Sequence, residues 1–480
     1  MKNDEWLPRA RLRGAVPCVV ALSILACTAD PIGAPRDMGA STARAAKAPP
    51  TTGVTVTSAS PAYGDQGTTI DVHVFGSGFA SGAQATWLLH GAADPNHVKT
   101  NSTTIVSSSE LVANVTIASD AQLAFWDVQV ALAGGKNGVG SEAFEVTAAQ
   151  ILGPGTTGGD ATVMQMNDLL QVVGYSTVSG NTQSAWVYDQ TSGMVSLGGG
   201  AANGIDPLGT FVVGTGPQSL PTIWNRQSGN TWVPQTLPQP SGSLGATAYG
   251  ATRLTDGTPL VVGWNTIANQ KRSAVASTQA IAWRRGADGV WGTPQSYVTP
   301  PGFTAADARD ATPHAVVIGH LDGGTAGIVW ENPTTYTVLD GKAARINPAG
   351  TLIVGENTNR AAVYWWRDPA TNKWRVPGTV LPTLGGSGCS EGFGLDVNDA
   401  GVVVGWSCNN GTINPTLWQL DLSGPSPVVV GTPTRLPGLG VMTTDDLNTA
   451  RAVTNAAPYV VAGAAHINQK QRVAVQWNVR

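Results

Sequence analysis

Charge is scarce in this sequence. Asp, Glu, Lys and Arg make up 12% of its 480 residues, with 27 basic side chains against 31 acidic ones and a formal net charge of −4. Soluble domains usually carry about twice that share. The scarcity excludes long solvated amphipathic helices as the main building element. The sign of the balance excludes a nucleic-acid partner, because phosphate binding needs a basic surface. Histidine is sparse as well: His73, His90, His97, His314, His320 and His466 show no metal-ligand spacing, and His-Glu-x-x-His is absent. No metal or cofactor is therefore expected. Glycine and proline, at 59 and 31, are what the chain has in excess. With 42% apolar residues, too many for a disordered chain, they point to an all-β protein rich in turns.

The N-terminus reads as an export signal. Arg9, Arg11 and Arg13 precede an apolar run over 14–26, which is shorter than the roughly 20 residues a spanning helix needs. The run ends Ile24-Leu25-Ala26-Cys27. This resembles the bacterial lipobox, which implies cleavage after residue 26 and lipid on Cys27; ordinary signal cleavage nearby is the alternative. In that family's terms, Thr28 implies the outer membrane of a Gram-negative cell. Residues 27–53 are rich in Ala, Pro and Thr and read as a tether.

Two cysteines then remain. Cys389 and Cys408 flank 392–397, the turn Asn398-Asp399-Ala400-Gly401, and 402–407. A hairpin folded at that turn brings its ends together, which suits a disulfide in an oxidising compartment.

Residues 54–147 alternate between apolar and polar over seven short runs, 54–57, 69–75, 85–89, 103–106, 111–117, 126–132 and 143–146. That spacing predicts a β-sandwich. Ser60-Pro61-Ala62-Tyr63-Gly64, then Thr69-Ile70-Asp71-Val72 and Gly76-Ser77-Gly78-Phe79, resemble the TIG/IPT immunoglobulin-like domain. The resemblance implies a spacer or interaction module without chemistry of its own.

Residues 148–480 repeat. A β-branched or apolar run closes on Gly174, Gly214, Gly263, Gly319, Gly355, Gly405 and Gly463, at intervals of 36 to 58 residues. A turn residue precedes most of these: Asn167, Asp206, Thr255, Asn347, Asn398 and Asn455. An aromatic follows each: Tyr188, Trp224, Trp283, Trp330, Trp366, Trp418 or Trp477. In three repeats a second Trp comes eight residues later (Trp232, Trp291, Trp374), and a hairpin between would set two indoles opposite each other. Four strands per repeat is a propeller blade. The last repeat ends after its third strand, and Gln150-Ile151-Leu152-Gly153 ahead of the first is expected to supply the fourth and close the ring. The fold class expected is all-β: an immunoglobulin-like β-sandwich, then a seven-bladed β-propeller.

Leu395-Asp396-Val397-Asn398-Asp399-Ala400-Gly401-Val402-Val403-Val404-Gly405-Trp406-Ser407 resembles the repeat of the extracellular His-Ala-Phe (HAF) repeat family. The tripeptide itself is replaced, as in Ser184-Ala185-Trp186 and Gln279-Ala280-Ile281. The resemblance implies export and a propeller, and no established activity.

Catalytic motifs are weak, and no catalytic residue is assigned. Gly388-Cys389-Ser390-Glu391-Gly392 matches the nucleophile elbow by letter but lacks a strand–turn–helix setting. Asp307, Asp310, Glu356, Glu391, Asp396, Asp445 and Asp446 could serve a hydrolase or lyase near the ring axis. The residues after the repeat glycines supply a candidate binding face: Tyr175, Trp264, His320, Glu356 and Trp406, with Thr215 and Ala464 in the other two repeats. Packing between blades is their alternative use. The longest adjoining loop, 265–278, carries Lys271 and Arg272. The expectation is a lipid-anchored surface protein whose propeller binds an envelope glycan or a surface protein, touching the membrane only through its lipid. A carbohydrate-active enzyme is the alternative. Nothing signals an oligomer, so a monomer is expected.

Overall fold

The computed structural model describes residues 53–480 apart from 119, 123, 148–149, 154–158, 179–181, 269–276, 386–388, 410, 437–447, 469–470 and 480. The expected signal peptide (1–26), Cys27, most of the tether, Lys271, Arg272, Asp445 and Asp446 lie outside the described residues. Among the described residues there is no α-helix, only two 3-10 turns, Pro217–Ser219 and Ser228–Asn230. The protein is all-β.

Residues 55–147 form two sheets. One has the strand order Thr55–Ser60, Thr69–Ser77, Glu110–Ile117, Val98–Ser107, and the other Tyr63–Asp65, Asn137–Thr147, Ala124–Ala131, Gln84–Leu89, Ala92–Ala93. Alternate residues of each face inward, because side chains on a strand point to opposite faces in turn. Leu111, Ala113, Val115 and Ile117 from the first sheet and Trp126, Val128 and Val130 from the second are fully buried in one shared core.

From residue 150 onward the described strands make seven sheets of four or five strands. The first comprises Asp160–Met166, Val172–Val178, Thr182–Asp189 and Gly193–Gly199. The next five span 201–236, 243–296, 306–339, 341–380 and 392–435. The seventh takes Thr449–Val453, Tyr459–Asn468 and Gln471–Val479, and its outer strand is Gln150–Gly153, paired antiparallel with Gln471–Val479. The N-terminal segment thus completes the last sheet, as its sequence predicts. Each sheet's first strand packs against the preceding sheet, and the first strand of the first sheet packs against the seventh. The seven first strands also touch one another in turn, so they surround a common axis.

The repeat glycines have a steric origin. In every sheet the pairing of the first two strands slips by one residue beside the glycine, as between Val163 and Gln165 opposite Gly174. That bulge brings a first-strand carbonyl onto the glycine: a Cβ at Gly174 would collide with the oxygen of Thr162, and one at Gly319 with that of Asp307.

Tryptophans fasten neighbouring sheets. Trp224, Trp283, Trp330, Trp365, Trp418 and Trp477 are fully buried, each packed against the sheet before its own. Trp224 Nε1 donates to Leu197 O (3.0 Å), Trp283 to Pro238 O (2.6 Å), Trp330 to Val298 O (2.9 Å) and Trp418 to Pro382 O (2.7 Å). In the fifth repeat the indole in this place is Trp365, bonded to Asp340 Oδ1 (2.8 Å), and not Trp366. The adjacent residues face opposite sides of one strand, and the register Ile353↔Trp365 decides between them.

The register also corrects the expected indole pairs. Trp232 lies opposite Arg226, Trp374 opposite Arg367, and Trp291 opposite Arg285. The guanidinium groups of Arg226 and Arg367 stand 5.7 and 5.8 Å from the facing ring centroids, within cation–π range. The turn is shorter than an indole-to-indole register needs, so the second Trp meets a residue nearer the turn.

Two turn residues shift by one. The position of Asn167 and Asn398, whose side chains accept the N–H groups of their own turns, is occupied in the last repeat by Thr454, whose Oγ1 accepts Val460 N–H. In the third repeat it is occupied by Leu254, whose N–H bonds Thr258 O. Cys389 and Cys408 form a disulfide with a Cα separation of 5.2 Å.

Candidate functional site

The five candidate face residues occupy one level of the ring, each opposite a first-strand residue just before the bulge: Tyr175↔Thr162, Trp264↔Thr247, His320↔Asp307, Glu356↔Lys342 and Trp406↔Phe393. They do not form one open face. Trp406 is buried with Ala344 and Phe393. His320 is buried and its Nε2 bonds Ala343 O at 2.9 Å. A carbonyl only accepts, so Nε2 carries the proton. Burial pushes the imidazole down to about 4 although Asp307 opposes it. Glu356 is buried between Lys342 (3.5 Å) and Arg360 (3.7 Å), and burial raises its carboxyl despite both cations. Tyr175 and Trp264 stay half-buried.

Trp264 leads to the axis. Its ring lies 5.6 Å from that of Tyr249, and the Arg309 guanidinium stands 4.5 Å from the Trp264 centroid and 4.6 Å from that of Tyr249. Arg309 also forks onto Asp307, with Nε to Oδ1 at 2.8 Å and Nη2 to Oδ2 at 2.9 Å. Burial alone would raise Asp307, but Arg309 and His320 hold its carboxyl below the usual range. Burial alone would lower Arg309, and Asp307 more than reverses it.

The bulges place these groups. Each leaves one first-strand residue unpaired and turned to the axis. Met164, Tyr249, Arg309, Ala344, Leu395 and Arg451 arise in this way and, with Arg345, line a cavity of about 30 Å³. The seventh bulge residue, Asn203, donates to Ala248 O at 3.0 Å. Five of the six lining bulge residues lie three positions ahead of the turn residue of their repeat. That spacing was the signal that could have found them, but their residue types share nothing.

The residue after the bulge ties each sheet to the next in three places. Gln165 Oε1 accepts Ile205 N–H (2.9 Å), Asp310 Oδ2 accepts Ile346 N–H (3.2 Å) and Asp396 Oδ2 accepts Val453 N–H (2.8 Å). Burial raises Asp310 and pushes Asp396 up to about 7, with Arg345 acting against it. Arg345 reaches back across the ring to Met164 O at 3.2 Å. Arg451 is half-buried, and its Nε makes a long bond of 3.4 Å to Thr449 Oγ1. Burial lowers its pKa, and the nearby cations Arg472 and Arg345 add to that. The arrangement can hold an anion or stack a planar group against the Tyr249–Arg309–Trp264 assembly. Among the described residues no group of three or more His, Cys, Asp or Glu side chains could hold a metal ion.

No family model matches this sequence, and no curated protein does. Among solved structures, the chain is similar to the β-propeller domain of Myceliophteria thermophila Cps50 (Swd1), at 10% identity, with 69% of this chain and 99% of that one covered and a TM-score of 0.42. It is similar to the acylaminoacyl peptidase of Pyrococcus horikoshii at 9% identity and a TM-score of 0.41; there the match covers 66% of this chain and spans about half of the peptidase, 51%. A glucose dehydrogenase matches at 10% identity and a TM-score of 0.31, covering 56% of this chain and 93% of that one.

Proposed function

We propose that the seven sheets are the blades of a seven-bladed β-propeller over 148–480, built of HAF-like repeats and carried on an immunoglobulin-like domain of the TIG/IPT kind over 54–147. The protein is exported, anchored by lipid on Cys27 through the tether 27–53, and sits as a monomer at the outer membrane or cell surface. Its propeller is a non-catalytic binding module for an envelope glycan or a surface protein. The observation that carries the binding reading is the contact of the Arg309 guanidinium with both Tyr249 and Trp264, whose rings lie against each other, beside the axial cavity. An aromatic ring with its face half open and a fixed cation beside it suits a sugar or a planar side chain. Three of the carboxylates an enzyme could use are engaged otherwise: Asp310 and Asp396 accept N–H groups of the next sheet, and Asp307 is forked by Arg309.

The test is a binding screen of the purified protein against bacterial and plant glycans. A glycan that binds, and binds at least tenfold more weakly to Trp264→Ala, supports the reading. A blank panel with folded protein removes the glycan and moves the search to crosslinking on intact cells. Turnover of a bound sugar would overturn the non-catalytic assignment.

A further inference from the structure

We infer that the axial cavity is a binding site for one oxyanionic group, a carboxylate or a phosphate, held by Arg451 together with Arg345. The inference rests on the binding-module reading and names the ligand chemistry.

Three sheets bring a guanidinium to this cavity: Arg309 from the fourth, Arg345 from the fifth and Arg451 from the seventh. Arg472 of the seventh sheet stands behind Arg451 and bonds Ala161 O and Thr162 Oγ1. The acids nearby are Asp307, Asp310 and Asp396. Asp307 is matched to Arg309, and the other two, which Arg345 acts on, bond backbone N–H groups. Among the described residues none forms an ion pair with Arg451. A guanidinium has five N–H donors, and among the described residues Arg451 places one of them, weakly, on Thr449. A half-buried cation that stands among like charges is offset by an anion that reaches it from the cavity. The fork of a guanidinium fits the two oxygens of a carboxylate or phosphate.

Size restricts the ligand further. A cavity of about 30 Å³ admits the equivalent of roughly two water-sized spheres. That accepts one anionic group. The ligand is therefore a small oxyanion, or a larger acidic molecule that offers its charged end along the axis.

The test compares inorganic phosphate and D-galacturonate with sodium chloride at matched ionic strength. The readouts are the melting temperature and calorimetric titration of wild type, Arg451→Met and Arg451→Lys. The expected result is saturable stabilisation of wild type by one of the two anions, weakened at least tenfold in Arg451→Met and several-fold in Arg451→Lys. Without anion, Arg451→Met should melt no lower than wild type, since it deletes a half-buried charge that stands among like charges. Phosphate alone acting identifies a phosphate source, and galacturonate alone an acidic sugar. Failure of both anions to exceed chloride, or an effect that survives Arg451→Met, overturns the site. Failure of both anions together with binding of a neutral glycan would overturn this site and leave the binding module standing.

Discussion

Asp168 Oδ1 accepts the backbone N–H of Asn455 at 2.6 Å, joining two turns 287 residues apart in sequence. It is one link in a circle. Asn347 Nδ2 donates to Asp399 Oδ1, Asn398 Nδ2 to Thr454 O and Asn167 Nδ2 to Asp206 O. Arg253 grips Asp206, Thr255 N–H reaches Pro313 O and Ile346 N–H reaches Asp310. Every adjacent pair of sheets is tied on the turn side. The link at Asp168 lies where the two ends of the ring meet, beside the strand pairing of Gln150–Gly153.

Closure by that strand predicts a large effect. Deleting residues 148–155 leaves the edge of Gln471–Val479 open and removes the buried Leu152. The melting temperature should drop on the order of 10 °C, since each kcal/mol is a few degrees at this size. Asp168→Ala should cost only about 1 kcal/mol, as its bond is exposed. Calorimetry on both variants checks this, and an unchanged melt after the deletion would count against closure.

Trp283 separates packing from bonding. Trp283→Phe keeps a buried ring but strands the acceptor Pro238 O and should cost roughly 1–3 kcal/mol. Trp283→Ala also opens a cavity between two sheets and should cost roughly 3–5 kcal/mol. A urea midpoint for Trp283→Phe equal to that of wild type would contradict the bond's contribution, and equal midpoints for the two variants would contradict the packing's.

Two groups set opposing pH dependences. His320 is held at about 4, below its ordinary 6.5. The stability from keeping it neutral is complete above pH 6.5 and is lost as the pH falls toward 4. Asp396 is raised from 3.8 to about 7. Its contribution is complete below pH 3.8 and is lost as the pH rises through 7. In the window between, the slopes act against each other, each at most about 1.4 kcal/mol per pH unit. Asp396→Asn should expose the loss of stability on acidification, and His320→Gln the loss on alkalinisation. Urea denaturation across that window checks both, and parallel profiles for all three proteins would refute the assignment.

The Cys389–Cys408 bridge spans a sequence separation of 19. A loop of that length is worth about 3 kcal/mol by restricting the unfolded chain. The double variant Cys389→Ser/Cys408→Ser should lose roughly that much in urea melts. Alkylation of unreduced protein should add no mass at these positions.

Much of the fold was legible because it depends on local chemistry. Gly174 and its six counterparts stand out since the bulge beside each leaves no room for a Cβ, so the repeat is written in a residue type. The alternation at Leu111, Ala113, Val115 and Ile117 likewise displays its buried face directly. Trp365 was hidden beside Trp366, because two adjacent aromatics differ only in which side of the strand they face, and a partner strand sets that. His320, Glu356 and Trp406 read as a face because their common level was visible; their burial depends on how closely the next sheet packs.

The sequence alone determined the all-β class, the repeat and its turns, the strand that completes the last sheet, and the pairing of Cys389 with Cys408. Each follows from residues near one another in the chain, or from a pattern that recurs. Only the tertiary structure decided the axial cavity. Its lining comes from six sheets and from residues as unlike as Met164, Tyr249 and Arg451, and what they share is a bulge that aims each at one point. Arg451 is an ordinary arginine in the sequence, and it becomes a half-buried cation beside Arg345 and Arg472 only once the ring has closed around it.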